Sequence, residues 1–417
     1  MLRRIHIRGF KSLVDVELQL PRVAVLAGPN AAGKSNVLDA LQMLARSATQ
    51  RTLADALSPP IRGFPQEAFT FPAGGLRELM DAHSASFSIE ADIELDRSSA
   101  RATTERARYR VEITIDPDAG VLSLSDEYLA GATKTWAPKG NPRIERVDGE
   151  IIVRRSGGGG RPPHEPLGTN HTWLSDARLS GSSYPMFDAL RSEFREWRTY
   201  YLDPGTAMRT AAAPREVSDI GVNGEHIAPF LYGLKTRDQA SFAAVRRALR
   251  SIIPAIGKLD VDLDSARGTL DIQIEQGGTT FSSRVVSEGT LRVLALCAIA
   301  VTAKRGLIAF EEPENGVQPQ RLDRIAELLT SLTRRGSAQL VVTTHSPGFV
   351  AAVLERARDA ASAEIGLFSV GRQANQTAIR PLRDFGLWED AAVDELLREP
   401  DEADRITALV RRGWLEV

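Results

Sequence analysis

One stretch, GPNAAGKS (28–35), constrains this chain more than any other. It follows the apolar run VAVLA (23–27) and precedes Val37, Leu38, Leu41 and Leu44, which recur at helical spacing. A continuous apolar run ending in Gly-Pro reads as a central, buried strand. The order is therefore strand, glycine loop, helix. Glycines at Gly28 and Gly33 let backbone N–H groups turn inward around phosphate oxygens. Lys34 can reach the β- and γ-oxygens of a nucleoside triphosphate. The Ser35 hydroxyl is a magnesium ligand, and the helix start presents its positive end to the anion. Gly28, Pro29, Asn30, Ala31, Ala32, Gly33, Lys34 and Ser35 are thus expected to bind nucleotide.

Three later stretches complete the pattern. LIAFEE (307–312) is an apolar strand running into two acids. Ligands in open α/β sheets sit where such strands end. Glu311 is expected to hold magnesium through water, and Glu312 to orient and deprotonate an attacking water. His345 follows the apolar strand QLVVTT (339–344). A neutral imidazole there can donate to a γ-phosphate or position water. Ser287-Glu288-Gly289 opens a long apolar helix, and a serine-capped helix start is also an anion site. The first nucleotide already has its own loop. Ser287 and Gly289 are therefore expected to act in trans, on ATP held by a second subunit.

The rest of the chain frames these motifs. Residues 2–8, 14–20, 87–95, 108–115 and 270–276 alternate apolar and polar, as half-buried strands do. Residues 186–199, 240–253, about 289–303 and 320–335 carry helical spacing. Strand, helix and apolar strand from 284 onward predict a central parallel sheet. Between 97 and 215 the character changes, with GGGG (157–160) and many arginines. The 18 Lys+Arg and 15 Asp+Glu in this stretch leave about +3, and its polarity suggests loops. Four parts are expected: 1–96, 97–215 as an insertion, 216–383, and an acidic appendage at 384–417 with ten acids against four arginines.

Composition narrows the setting. The net charge of −2 leaves any nucleic-acid surface to a local patch. The single cysteine, Cys297, makes no internal disulfide, which fits a reducing compartment. Neither a signal-peptide core nor an 18-residue apolar run is present, so the expectation is a cytoplasmic protein with no membrane partner.

On these residues the chain resembles ABC-type ATPases of the RecF-like, OLD-like and SMC-like branch. The opening IHIRGFKSLVDVELQL, the loop with Asn36 after it, VSEGTLR (286–292), EEPENGVQP (311–319) and TTHS (343–346) carry the likeness. It covers about 1–90 and 216–370 well and the middle only loosely, around WRTYYLDPGTAMR (197–209). The resemblance implies an α/β fold: a P-loop ABC-type head with mixed or antiparallel N-terminal strands, a central parallel sheet and an irregular α+β insertion. It implies ATP and Mg2+ as cofactors. Lys34, Ser35 and Asn36 would serve nucleotide and metal, with Glu311 as the second metal residue. Glu312 would be the base, His345 the γ-phosphate sensor, and Ser287 and Gly289 the trans contacts. No Q-loop glutamine can be placed. No long heptad stretch and no topoisomerase-primase-like acidic cluster accompany the head, which therefore looks like a stand-alone one.

The function so implied is a switch ATPase that closes head-to-head on ATP as a homodimer or higher homo-oligomer. Its setting would be DNA metabolism or anti-phage defence, with a separate effector such as a nuclease, and with DNA as a further partner. The alternatives are a transporter-type ATPase subunit, or an ATP-dependent scaffold with negligible turnover. The Glu311-Glu312 pair and the GFKSL start count against the transporter.

Overall fold

The computed structural model describes residues 1–95, 105–157, 162–335, 337–359 and 365–382. The acidic appendage expected at 384–417 and part of the GGGG run lie outside the described residues. In chain order the elements begin with β1 (Leu2–Phe10), β2 (Leu13–Gln19), β3 (Val23–Ala27), α1 (Lys34–Ser47), α2 (Leu53–Leu57) and α3 (Gly75–Met80). Then come β4 (Ala85–Glu94), β5 (Arg106–Asp116), β6 (Val121–Gly131), β7 (Ile144–Val147), β8 (Glu150–Val153), β9 (His164–Glu165), α4 (Pro185–Arg195) and β10 (Arg198–Tyr200). Two helices, α5 (Ile227–Arg237) and α6 (Gln239–Ile252), precede β11 (Ile256–Asp264), β12 (Thr269–Gln276) and β13 (Thr279–Ser282). Last are α7 (Glu288–Thr302), β14 (Arg305–Glu311), α8 (Leu322–Arg335), β15 (Ser337–Thr344), α9 (Pro347–Asp359), β16 (Ile365–Gln373) and β17 (Gln376–Pro381).

The chain forms two compact units. The first comprises the described residues of Met1–Pro21, Asn30–Trp197 and Val370–Arg380. The second comprises those of Arg22–Pro29, Arg198–Ser369 and Pro381–Val417. In the first, an eight-stranded sheet runs β2-β1-β4-β5-β6-β7-β8-β9. β4 pairs antiparallel with β5 from Ala85↔Ile115 to Glu94↔Arg106, so strands on both sides of residue 97 share one sheet. The loops expected between 97 and 215 include four further strands, β6 to β9. β5 shows the sheet's one wet face: Ala107, Tyr109, Val111, Ile113 and Ile115 are buried, and the residues between them are half-exposed.

That wet face is a lattice of ion pairs. Arg108 Nε and Nη2 reach both oxygens of Asp92, at 2.6 and 2.8 Å. Arg110 bonds Asp126 at 2.7 Å and lies over the Tyr128 ring. Arg106 bonds Glu94, and Arg4 bonds Glu17 and Glu90. Each arginine meets its acid on a neighbouring strand, the geometry in which cross-strand pairs interact.

The second unit holds the parallel strands. Its strands run in the order β10-β14-β15-β3-β16. β3 is buried along its whole length, with β15 on one side and β16 on the other, both parallel to it. A three-stranded sheet, β11-β12-β13, and helices α5 to α9 share its apolar core. Among the described residues, no helix is long and apolar enough to cross a membrane.

Candidate functional site: a phosphate loop and a carboxyl edge

Register sets the site. β14 and β15 run parallel with Glu311 opposite Thr343, and β15 meets β3 with Thr344 opposite Ala27. The three strands therefore end side by side. Gly28 continues from β3 and donates its N–H to the Thr344 carbonyl at 3.2 Å. The loop leaves the sheet from this edge and runs on to α1.

Within the loop, Ala31 and Gly33 adopt positive φ, at 63° and 98°. Asn30 and Ala31 are exposed, Pro29 is half-buried, and Ala32 and Lys34 are buried. Gly33 caps α1 without any side-chain bond, and the first turn carries no acid. A helix start capped by glycine rather than by a side-chain oxygen is the form an anion site takes. The Asn36 amide donates to Ser12 Oγ at 2.7 Å, so it faces the β1–β2 turn. Ser35 and Glu311 are hard oxygen donors of the kind Mg2+ takes. Among the described residues, no three His, Cys, Asp or Glu side chains gather into a metal cage. A magnesium held with nucleotide phosphates needs none, so the donor chemistry of each residue suits Mg2+.

The acids beyond β14 are held in detail. Glu312 sits at φ 45°, a left-handed conformation that is costly for this residue type. Its N–H reaches the Thr343 carbonyl at 2.9 Å, which folds the chain back over the end of β15. One carboxylate oxygen lies 2.9 Å from His345 Nδ1, and the other accepts from Asn315 Nδ2 at 2.7 Å. The two expected catalytic side chains, Glu312 and His345, are therefore direct partners. Asn315 was not expected; its signal is an amide three residues past Glu312, within reach because the Asn315 N–H closes a turn on the Glu312 carbonyl. Glu314 is 5% exposed and bonded by the Thr344 hydroxyl, and burial pushes its carboxyl above the usual range.

Ser287 caps α7, accepting from Thr290 N–H at 3.3 Å, and both Ser287 and Glu288 are exposed. Gly289 has a reason within its own chain: a Cβ there would come 2.1 Å from the Gly316 carbonyl oxygen. The start of α7 thus packs backbone to backbone on the turn four residues after Glu312. Arg209 pins the approach to α7, donating to the carbonyls of Ser283, Arg284 and Val286. It lies in the loosely matching WRTYYLDPGTAMR stretch, where spacing alone gave it no role. The structure gathers Gly28, Glu311, Glu312 and His345 at one sheet edge, and places Ser287 and Gly289 at a separate helix start.

Residues 23–351 match the family described as "AAA domain, putative AbiEii toxin, Type IV TA system". The chain is 31% identical over 140 residues to the DNA replication and repair protein RecF of Stutzerimonas stutzeri, covering 32% of this chain and 35% of that protein. It is 23% identical over 359 residues to the OLD nuclease of Thermus scotoductus, covering 84% of this chain and 60% of that protein. It spans less than two thirds of the length of either. Among solved structures, an Smc head bound to the C-winged helix domain of ScpA aligns with TM-score 0.53 at 14% identity, over 91% of this chain and 97% of that one. An Smc head with an extended coiled coil, bound to the C-terminal domain of ScpA derived from Pyrococcus furiosus, gives 0.52 at 11%, over 93% and 98%. The chain belongs to this AAA-domain family, as an ABC-type ATPase head of the RecF-like, OLD-like and SMC-like branch.

Proposed function

We propose that this protein hydrolyses ATP and that two copies close on the nucleotide to do so. The observation that carries the reading is Glu312: a strained carboxylate held between His345 and Asn315 at the edge from which the phosphate loop departs. Backbone strain of this kind persists where the surroundings over-determine it, which is characteristic of reacting groups. Lys34 and the N–H groups opening α1 hold the phosphates. Ser35 and Glu311 hold Mg2+, which when bound offsets phosphate charge. Glu312 accepts the proton of the attacking water, and His345 and Asn315 keep its two oxygens aimed. Ser287 reaches the γ-phosphate of the opposite subunit, supported by its exposure and by Val285 beside it, 71% exposed.

The setting proposed is DNA metabolism or anti-phage defence, with a separate effector protein. Its support is the naming of the relatives, a replication and repair protein and a nuclease, and a family description that names a toxin system. The 97–215 region is proposed as the recognition part, acting through shape and hydrogen bonding, since its strand arginines are already paired. The test is turnover and mass in the presence of ATP. Glu312→Gln should lose at least 100-fold in turnover, keep ATP binding and accumulate as a closed dimer, while Lys34→Ala should lose binding. Full turnover in Glu312→Gln removes the residue from the base role. A monomer at every ATP concentration ends the closure model.

A further inference from the structure

Gly33 is crowded from a direction that has nothing to do with phosphate. A Cβ there would stand 2.0 Å from Thr377 Oγ1 and 2.7 Å from Ser12 Oγ. These hydroxyls come from the β1–β2 turn and from β17, and they are 2.6 Å apart. Thr377 Oγ1 also donates to the Ala32 carbonyl at 2.9 Å, and Ser12 Oγ also accepts from Asn36 Nδ2 at 2.7 Å. Each hydroxyl has one proton. Thr377 uses its proton on Ala32, so the proton between the hydroxyls belongs to Ser12. The direction is then fixed throughout: Asn36 to Ser12, Ser12 to Thr377, Thr377 to the Ala32 oxygen. A chain of bonds running one way polarises each member in the same sense.

The geometry points to Ser12 and Thr377 as positioning residues for the phosphate loop, a role that rests on the ATP-binding reading above. The reason lies in the Ala32–Gly33 peptide. A trans peptide is planar, with its C=O and N–H pointing in opposite directions. Anchoring the Ala32 oxygen on Thr377 turns the Gly33 N–H the other way and keeps that carbonyl from turning toward an anion. The anchor is itself secured, because Thr377 N–H bonds the Ser12 carbonyl at 2.9 Å and Thr377 is only 6% exposed. Lys11 adds a second tie from the same turn, its Nζ lying 2.5 Å from Asp39 Oδ2 on α1, and Asp39 is fully buried. The GFKSL element thus grips the loop's end and its helix in two places.

The test uses the whole chain, three single variants and one double variant. Thr377→Val keeps the shape and removes the hydroxyl; Thr377→Ser keeps the hydroxyl; Ser12→Ala cuts the relay one link earlier. ATP affinity is measured by titration, with turnover at saturating ATP and the thermal midpoint without nucleotide. Thr377→Val should weaken ATP binding about five- to tenfold, the loss of one bond in such a site, with saturated turnover within about twofold of the parent. Thr377→Ser should restore affinity to within about twofold. The Ser12→Ala/Thr377→Val double variant should bind about as Thr377→Val does, because both cuts break one relay. Parental affinity in Thr377→Val, or an equal loss in Thr377→Ser, overturns the brace alone. A parent chain that binds no ATP takes down the brace and the ATPase reading together.

Discussion

The wet face of the eight-stranded sheet and the carboxyl edge of the parallel sheet are both rich in charge, and they use it oppositely. On the wet face, Arg4, Arg106, Arg108 and Arg110 each have an acid on an adjacent strand. That charge is neutralised within the sheet and holds strands in register. At the carboxyl edge, Glu311 and Glu312 follow one another in sequence, and Glu312 is met by an imidazole and an amide. There the two groups that meet Glu312 fix where its oxygens point rather than tie one strand to the next. The number of charged residues does not tell a working surface from a structural one; what they are paired with does.

Ser287→Arg tests the working side of this contrast and should have the largest effect. A cation with a long side chain would stand where the second copy's phosphate must dock. Turnover should fall at least 100-fold while ATP affinity stays within about threefold. A loss of affinity like that of Lys34→Ala would contradict action in trans. Arg108→Ala tests the structural side. It leaves Asp92, 1% exposed, without its two-toothed partner. Stability in urea should fall by about 3 kcal/mol, with ATP turnover per folded molecule unchanged. A stable variant with altered turnover would break the distinction between the two regions.

The smallest effect concerns Glu127, a carboxylate on the buried side of the same sheet. It accepts from Tyr109 Oη at 3.0 Å and from the N–H groups of Trp173 and Leu174 at 2.6 and 3.0 Å. Burial pushes its pKa from 4.5 up to about 7 despite these donors. The folded chain therefore holds this proton more tightly than the unfolded one. The contribution is complete below pH 4.5 and declines as pH rises through 7. Urea midpoints measured from pH 5 to 8 should fall more steeply in the parent than in Glu127→Gln, whose absolute stability is lower. Parallel slopes would show that Glu127 is ionised throughout.

The phosphate loop, the β14 acids, the α7 start and the β15 histidine were legible because each is a run of adjacent residues with a fixed local job. The strands and helices around them were legible from periodicity for the same reason. The Arg108–Asp92 pair was not, because it depends on the β4–β5 register, which sequence spacing leaves open. The Glu312–His345 contact needed the left-handed turn at Glu312, and nothing in the motif announces it. The strands β6 to β9 were hidden because β6 breaks its alternation at Ser125-Asp126, opposite an irregularity in β5, and β7, β8 and β9 are only four, four and two residues long. Ser12 and Thr377 lie 365 residues apart, beyond any spacing argument.

That last separation has a consequence for how the protein is made. Synthesis runs from the N-terminus, and β3 with its loop emerges early. Its flanking strands, β15 and β16, and the Thr377 anchor are encoded hundreds of residues later. A ribosome-bound chain that stops short of residue 337 carries the whole loop motif without β15, β16 or Thr377. On the ATP-binding reading proposed above, nucleotide affinity is acquired late in translation, because products truncated before β15 lack the strands that flank β3.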